Sequence, residues 1–217
     1  MTLLERVAAW ASAVRPNDIP ASQHRLARLR LLDTLGLIAA ASAEPVCRSV
    51  LQWAKPYTGA GRSTIVIDGT RAPAAIAALV HGTLAHARDF DDTFPDSVIH
   101  PGSVVIPAAL AAGEAIDVGW PELATAVVLG YEIAARLGRM AGRGFHARGF
   151  HATGIVGPVA AAATVSRLLK LDAEAMADAL GLMESDARFG RRDDSSDRIW
   201  IGRDRVPPTL RAPSFQR

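Results

Sequence analysis

The sequence predicts an all-α fold, a multi-helix bundle whose alanine- and glycine-rich central helices are buried by others. Three observations predict it. Of the 217 residues, 49% are apolar but only 6% are aromatic, so alanine and leucine, both strong helix formers, fill most of the interior. Apolar residues recur at helical spacing through most of residues 1–186. Glycines also stand inside the helical stretches, at Gly113, Gly130, Gly154 and Gly157. Each costs roughly 1 kcal/mol against alanine, and close approach of neighbouring helices is the expected compensation.

Taken in order, "TLLERVAAWASAVR" opens with Thr2 and Glu5 at capping-box spacing and continues with a helical apolar repeat. "PNDIP" breaks it. "ASQHRLARLRLLDTLGLIAAAS" carries Leu26, Leu29, Leu32, Leu35 and Ile38 at steps of three and predicts a long helix. "EPVCRSVLQWAK" predicts a shorter one. "STIVID", closed by Gly69, is the one strand-like run. Helix resumes in "APAAIAALVHGTLAHARDF", and again after Pro101 and Gly102 in "SVVIPAALAAGEAI". "WPELATAVVLGYEIAARLGRMA" is apolar most of the way round and is expected to be enclosed. "HATGIVGPVAAAATVSRLLK" is similar, and "DAEAMADALGLME" starts at Asp172, a suitable N-cap. No internal repeat of fixed period is present.

Composition excludes several classes. Residues 1–186 hold 16 Lys plus Arg and 18 Asp plus Glu, whereas 187–217 hold 8 Arg and 4 Asp. The basic balance therefore lies in the tail, and the body offers no basic face for nucleic acid. Cys47 is the only cysteine, which excludes an intrachain disulfide and a cysteine-rich zinc site. "MTLLERVAAWASAVR" is broken by Glu5 and Arg6 and does not read as a signal peptide. The longest apolar segments carry interior Gly, Glu or Arg and fall short of a membrane span. A soluble, cytoplasmic protein without membrane or nucleic-acid partners is the expectation.

The chemistry gathers in "HARDFDDTFPDSVIHPGS", residues 86–103, between two apolar helices. Asp89, Asp91, Asp92 and Asp96 fall within eight positions. Four nearby carboxylates repel, and a cation, a basic partner or a raised pKa would relieve them. His100 stands where this link enters a helix, and His151 occupies a matching place in "GFHATGIVG". The positive end of a helix disfavours an imidazolium beside it, so histidines at such junctions suit proton acceptance. Helix N-termini also attract carboxylates. His86 is placed to approach the link, His81 reads as a core or interface residue, and His24 as surface. His146 lies in a Gly/Arg segment whose Arg143 and Arg148 read as solvated.

These runs, together with "RLARLRLLDTLGLIAAAS" and "VVLGYEIAARLGR", resemble the N-terminal helical part of the MmgE/PrpD family over most of residues 1–183. The resemblance implies a metal-independent, cofactor-free lyase that dehydrates or decarboxylates a small polycarboxylate such as 2-methylcitrate or cis-aconitate, usually as a homodimer. It implies Asp89, His100 and His151 as catalytic residues and Thr93 as a substrate-binding one. It also implies a second, lid-like α+β domain and a catalytic lysine further along. No lysine follows Lys170, and residues 187–217 match nothing expected of the family. The expectation is thus a helical domain over 1–186 with an aberrant, disordered tail, a truncated or frameshifted member of impaired activity. Two alternatives stand beside it. One is a non-catalytic helical dimerisation remnant. The other reads "DDTFPD" as a magnesium motif of a prenyl-diphosphate enzyme.

Overall fold

The first helix begins as its capping box dictates. The Thr2 hydroxyl accepts from the Glu5 amide at 3.2 Å, while the Glu5 carboxylate accepts from the Thr2 amide at 2.7 Å, satisfying two donors that no helical carbonyl can reach. In this computed structural model, which describes residues 2–187 (backbone only for 184–187), the elements follow as α1 (Leu3–Ala13), α2 (Ala21–Ala40), α3 (Pro45–Ala54), β1 (Ser63–Ile65), β2 (Thr70–Ala72), α4 (Ala74–Ala85), α5 (Gly102–Ala115), α6 (Trp120–Ala141), α7 (Gly144–Ala147), α8 (Ala152–Leu168) and α9 (Ala173–Ala187). The expected tail lies outside the described residues, except for Ala187. The fold is an all-α bundle, and among the described residues the only strands are those of one antiparallel hairpin.

The centre is built from α5, α6 and α8, with α4 against α5, α2 across α4 and α6, and α1 paired with α9 over α8. α6 is enclosed because it feeds several cores at once. Val127, Tyr131 and Ala134 join a cluster with Val105, Ile106 and Val156. Leu129 and Ile133 turn to another, with Ala8, Met176 and Leu180. Each valine, leucine, isoleucine or methionine among them contributes about 1.5–3 kcal/mol on burial. Glycine makes the crossings possible. A methyl on Gly130 would run into the Thr164 hydroxyl and Val105, and one on Gly157 would meet Val104 at 3.0 Å. Asp172 caps α9 as expected, accepting from the Ala175 amide at 2.9 Å.

The long helix expected over α2 is present, its orientation is a new finding, and two other expectations need correction. The leucine ladder of α2 does not face the core: Leu26, Leu29 and Leu32 are 40%, 55% and 66% exposed, while Ile38 is buried. A step of three residues falls 60° short of a full turn, so the ladder winds around the helix. Its first three members point outward and its last inward. "STIVID" is strand only through Ile65; the chain then turns at Gly69 (φ +75°) and returns as Thr70–Ala72. Gly154 is not at a helix contact. A methyl there would meet only the His151 ring, at 3.8 Å, and the residue is exposed beside a hollow.

Candidate active site

The link leaves α4 at His86, its C-cap, and reaches α5 at His100 and Pro101. Its backbone is held by two left-handed residues, Asp89 (φ +55°) and Val98 (φ +52°). Aspartate tolerates that region; a β-branched valine does not readily, so the turn is enforced by its surroundings. The cause is visible at the base of the loop. The Phe94 amide donates to the Ile99 carbonyl at 2.8 Å and the Val98 amide to the Phe94 carbonyl at 2.9 Å, and Phe94 and Ile99 form a bridge. This closes the loop and sets Thr93 beside His100.

His100 is the anchor. Its amide donates to the Thr153 hydroxyl at 3.0 Å, tying the entry to α5 to the first turn of α8. Its ring lies 3.4 Å (Nδ1) from the Thr93 hydroxyl and 3.7 Å (Nε2) from an Asp89 oxygen. His151, the N-cap of α8, stacks at 18° to it with ring centres 6.4 Å apart. The four residues expected at the site therefore come together from separate stretches of chain. His86 joins them, its ring centre 5.0 Å from that of His100 and 5.8 Å from that of His151.

The four aspartates find four different environments, which is how their repulsion is relieved. Asp91 is buried and accepts from His86 Nδ1 at 2.9 and 3.1 Å through its two oxygens. Asp92 accepts from the Gly102 amide at 2.8 Å, with Arg30 at 3.9 Å. Asp96 pairs with Arg139 at 2.7 Å. Asp89 stays exposed beside His100. Asp91, Asp92 and Asp96 thus turn to separate partners, an arrangement opposed to the magnesium reading. Asp92 also fills the N-terminus of α5 with the protein's own carboxylate. The N-terminus of α8 carries no side-chain cap.

An open hollow of about 340 Å³ lies against that free N-terminus, lined by Gly82, His86, Ser103, His151, Thr153 and Gly154. His100 sits behind it rather than on its wall. Burial, then the imidazoles of His86, His100 and His146, holds His151 below the ordinary histidine value, with Asp89 opposing. Arg143 and Arg148 are exposed. Ligand atoms of His86, Asp89, Asp91 and His100 lie within 4.8 Å of one another, a mixed nitrogen and oxygen set that a divalent ion can use. The 2.9 Å contact between His86 and Asp91 already has the length of an ordinary hydrogen bond, which a metal would have to displace.

Sequence reasoning gave His86 no role and did not separate Asp91 from its neighbours. The available signal was the distance of five residues across a helix end, which lets a C-cap histidine meet a carboxylate in the following turn.

A helical bundle with histidines and carboxylates gathered beside an uncapped helix N-terminus is the class of protein these observations define. Comparison with known proteins is specific. The MmgE/PrpD N-terminal domain matches residues 5–196, and the chain belongs to that family. It is 29% identical over 181 residues to the cis-aconitate decarboxylase-like protein oryM of Aspergillus oryzae, covering 80% of this chain and 38% of the relative. It is 25% identical over 179 residues to cis-aconitate decarboxylase of Aspergillus terreus, covering 80% and 36%. It is 31% identical over 168 residues to the Homo sapiens cis-aconitate decarboxylase, covering 72% and 34%. The chain thus spans well under half the length of these relatives.

Proposed function

We propose that this chain carries the helical half of a lyase site for a small polycarboxylate, of the cis-aconitate or 2-methylcitrate kind, working by proton transfer without a metal. One observation carries the reading: in a chain of this family, Asp89, Thr93 and His100 of the link and His151 at the start of α8 converge beside a hollow at an uncapped helix N-terminus. The chemistry asks for that combination. Dehydration removes a proton alpha to a carboxylate and expels a hydroxyl. Decarboxylation breaks a carbon–carbon bond, leaves its electron pair on carbon, and needs a proton to be returned there. Imidazoles serve both directions near neutral pH. The α8 amides and the Thr93 hydroxyl suit the spectator carboxylates. His100 and His151 are the proton-transfer or orienting groups, and Asp89 orients His100 or acts as base.

The assay is formation of product from cis-aconitate, 2-methylcitrate and citrate by the full chain in chelator, followed by proton NMR. We expect slow turnover, relative to the longer relatives, that falls about 10²–10⁴-fold in His100→Ala and His151→Ala. Magnesium-dependent release of diphosphate from a prenyl substrate would overturn the reading. So would turnover indifferent to both histidines. Acid should also suppress it. His151 has its folded value below 6.5, so it is neutral at pH 7 and is lost as a base when pH falls through that lower value. We further propose a homodimer. A dimer without any turnover is the competing reading, and the outward leucines of α2 favour it; sedimentation and the assay together separate the two.

A further inference from the structure

We propose that His86 is a third proton-transfer imidazole of this site, one that meets substrate directly, and that Asp91 is its positioning residue. The inference rests on the lyase reading and adds to it the group that faces the substrate carbon.

Three imidazoles surround the hollow, and their settings differ. His151 lines it but has no carboxylate in bonding distance among the described residues. His100 touches Thr93 and Asp89 but lies behind the wall, its side chain 11% exposed. His86 alone combines both properties. It lines the hollow, with its side chain 37% exposed, and its Nδ1 is bonded by both oxygens of a carboxylate that is itself 1% exposed.

An ionised carboxylate can only accept, so the bond fixes the hydrogen on Nδ1 and leaves the lone pair on Nε2. Nε2 is on the opposite edge of the ring, and nothing among the described residues bonds it. A buried carboxylate in so short a contact also stabilises the imidazolium that forms when Nε2 takes a proton. This is the logic by which an aspartate orients a catalytic histidine elsewhere. Asp91 also lies 3.5 Å from His100 Nδ1, but its short contacts, at 2.9 and 3.1 Å, go to His86.

The step balances simply. In dehydration, His86 Nε2 takes the proton from the carbon alpha to a carboxylate; the C–H pair becomes the new C–C π bond and the hydroxyl leaves with its own pair, protonated by a second imidazole. In decarboxylation, the pair left on carbon by departing carbon dioxide takes the proton from protonated His86. Exchange with water at the open mouth resets the ring.

The experiment uses the full chain with ¹⁵N-labelled histidine and long-range proton–nitrogen correlation, with citrate as the probe ligand. In the unsubstituted chain we expect His86 protonated on Nδ1 and bare on Nε2. Saturating citrate should shift His86 Nε2 together with His151. Asp91→Asn, checked for an unchanged circular dichroism spectrum, should convert His86 to a tautomer mixture. Asp91→Glu should restore the Nδ1 tautomer. Where turnover is measurable, His86→Gln should lower kcat about 10²–10⁴-fold with KM moved less.

A His86 ring already protonated on Nε2 overturns the proposal, as does a tautomer unmoved in Asp91→Asn, or an unaltered kcat in His86→Gln. Citrate that shifts His100 and His151 but leaves His86 still sinks this inference alone. Citrate that shifts none of the three sinks the lyase reading, and this inference falls with it.

Discussion

His81 has two ring nitrogens and one buried partner. The Val66 amide donates to Nε2 at 3.1 Å, which requires the hydrogen on Nδ1, and Nδ1 is buried without a partner. Burial holds the ring below the ordinary value of 6.5, with Glu114 opposing. The unfolded chain therefore takes up a proton near pH 6.5 that the folded chain refuses. Stability is full above that value and falls as pH drops toward the lower, folded value, by about 1.4 kcal/mol for each pH unit between the two. Urea unfolding from pH 8 to 5 should reveal this slope. His81→Leu should flatten it, while at pH 8 the orphaned Val66 amide costs about 1 kcal/mol. The same scale explains what could be read of the site in advance. His100 and His151 announce themselves because each stands where a loop enters a glycine-containing helix. Asp91 does not, because four aspartates look alike along a chain. Only folding turns one of them inward to His86 and the others to Arg139, to the Gly102 amide and to solvent.

At the scale of elements, boundaries were legible wherever a local rule set them. The Thr2–Glu5 box starts α1, Asp172 starts α9, and Pro101–Gly102 precedes α5. Illegible were features set by partners far along the chain. The inward face of α2 is chosen by α4, α5 and α6, so a leucine repeat whose phase drifts around the helix could not name it. The return strand Thr70–Ala72 is too short to carry a pattern. The four residues of α7 are held by the buried ring of Phe145. Glycine supplies the sharpest test at this scale. Gly130→Ala gains helix propensity but pushes a methyl into Thr164 and Val105, and we expect a net loss of about 1–3 kcal/mol. Gly36→Ala, in α2 with nothing within 4 Å of the added methyl, should instead gain about 0.5–1 kcal/mol. Paired denaturation curves read both, and a loss of equal size at the two positions would refute the packing account.

At the scale of the molecule, the all-α class followed from composition and period alone, and the structure bears it out. What composition could not foresee is where apolar surface would remain outside. Leu29 and Leu32 on α2, Phe90 in the link and Leu182 on α9 are all more than half exposed. Exposed apolar side chains promote association where they adjoin one another. Replacing Leu29 and Leu32 together by Gln should lower the average mass seen by light scattering at high concentration, with the unfolding midpoint little changed. An unaltered mass would show that other surfaces drive association.

The bridge between Phe94 and Ile99 separates two properties that a connecting segment usually couples. Beyond the clasp, Pro95 and Asp96 are exposed while Ser97 is buried against Gly138, so the tip can be traded at its first two positions with the span still pinned. Change can thereby accumulate at the tip of the loop while Thr93 and His100 keep their mutual register.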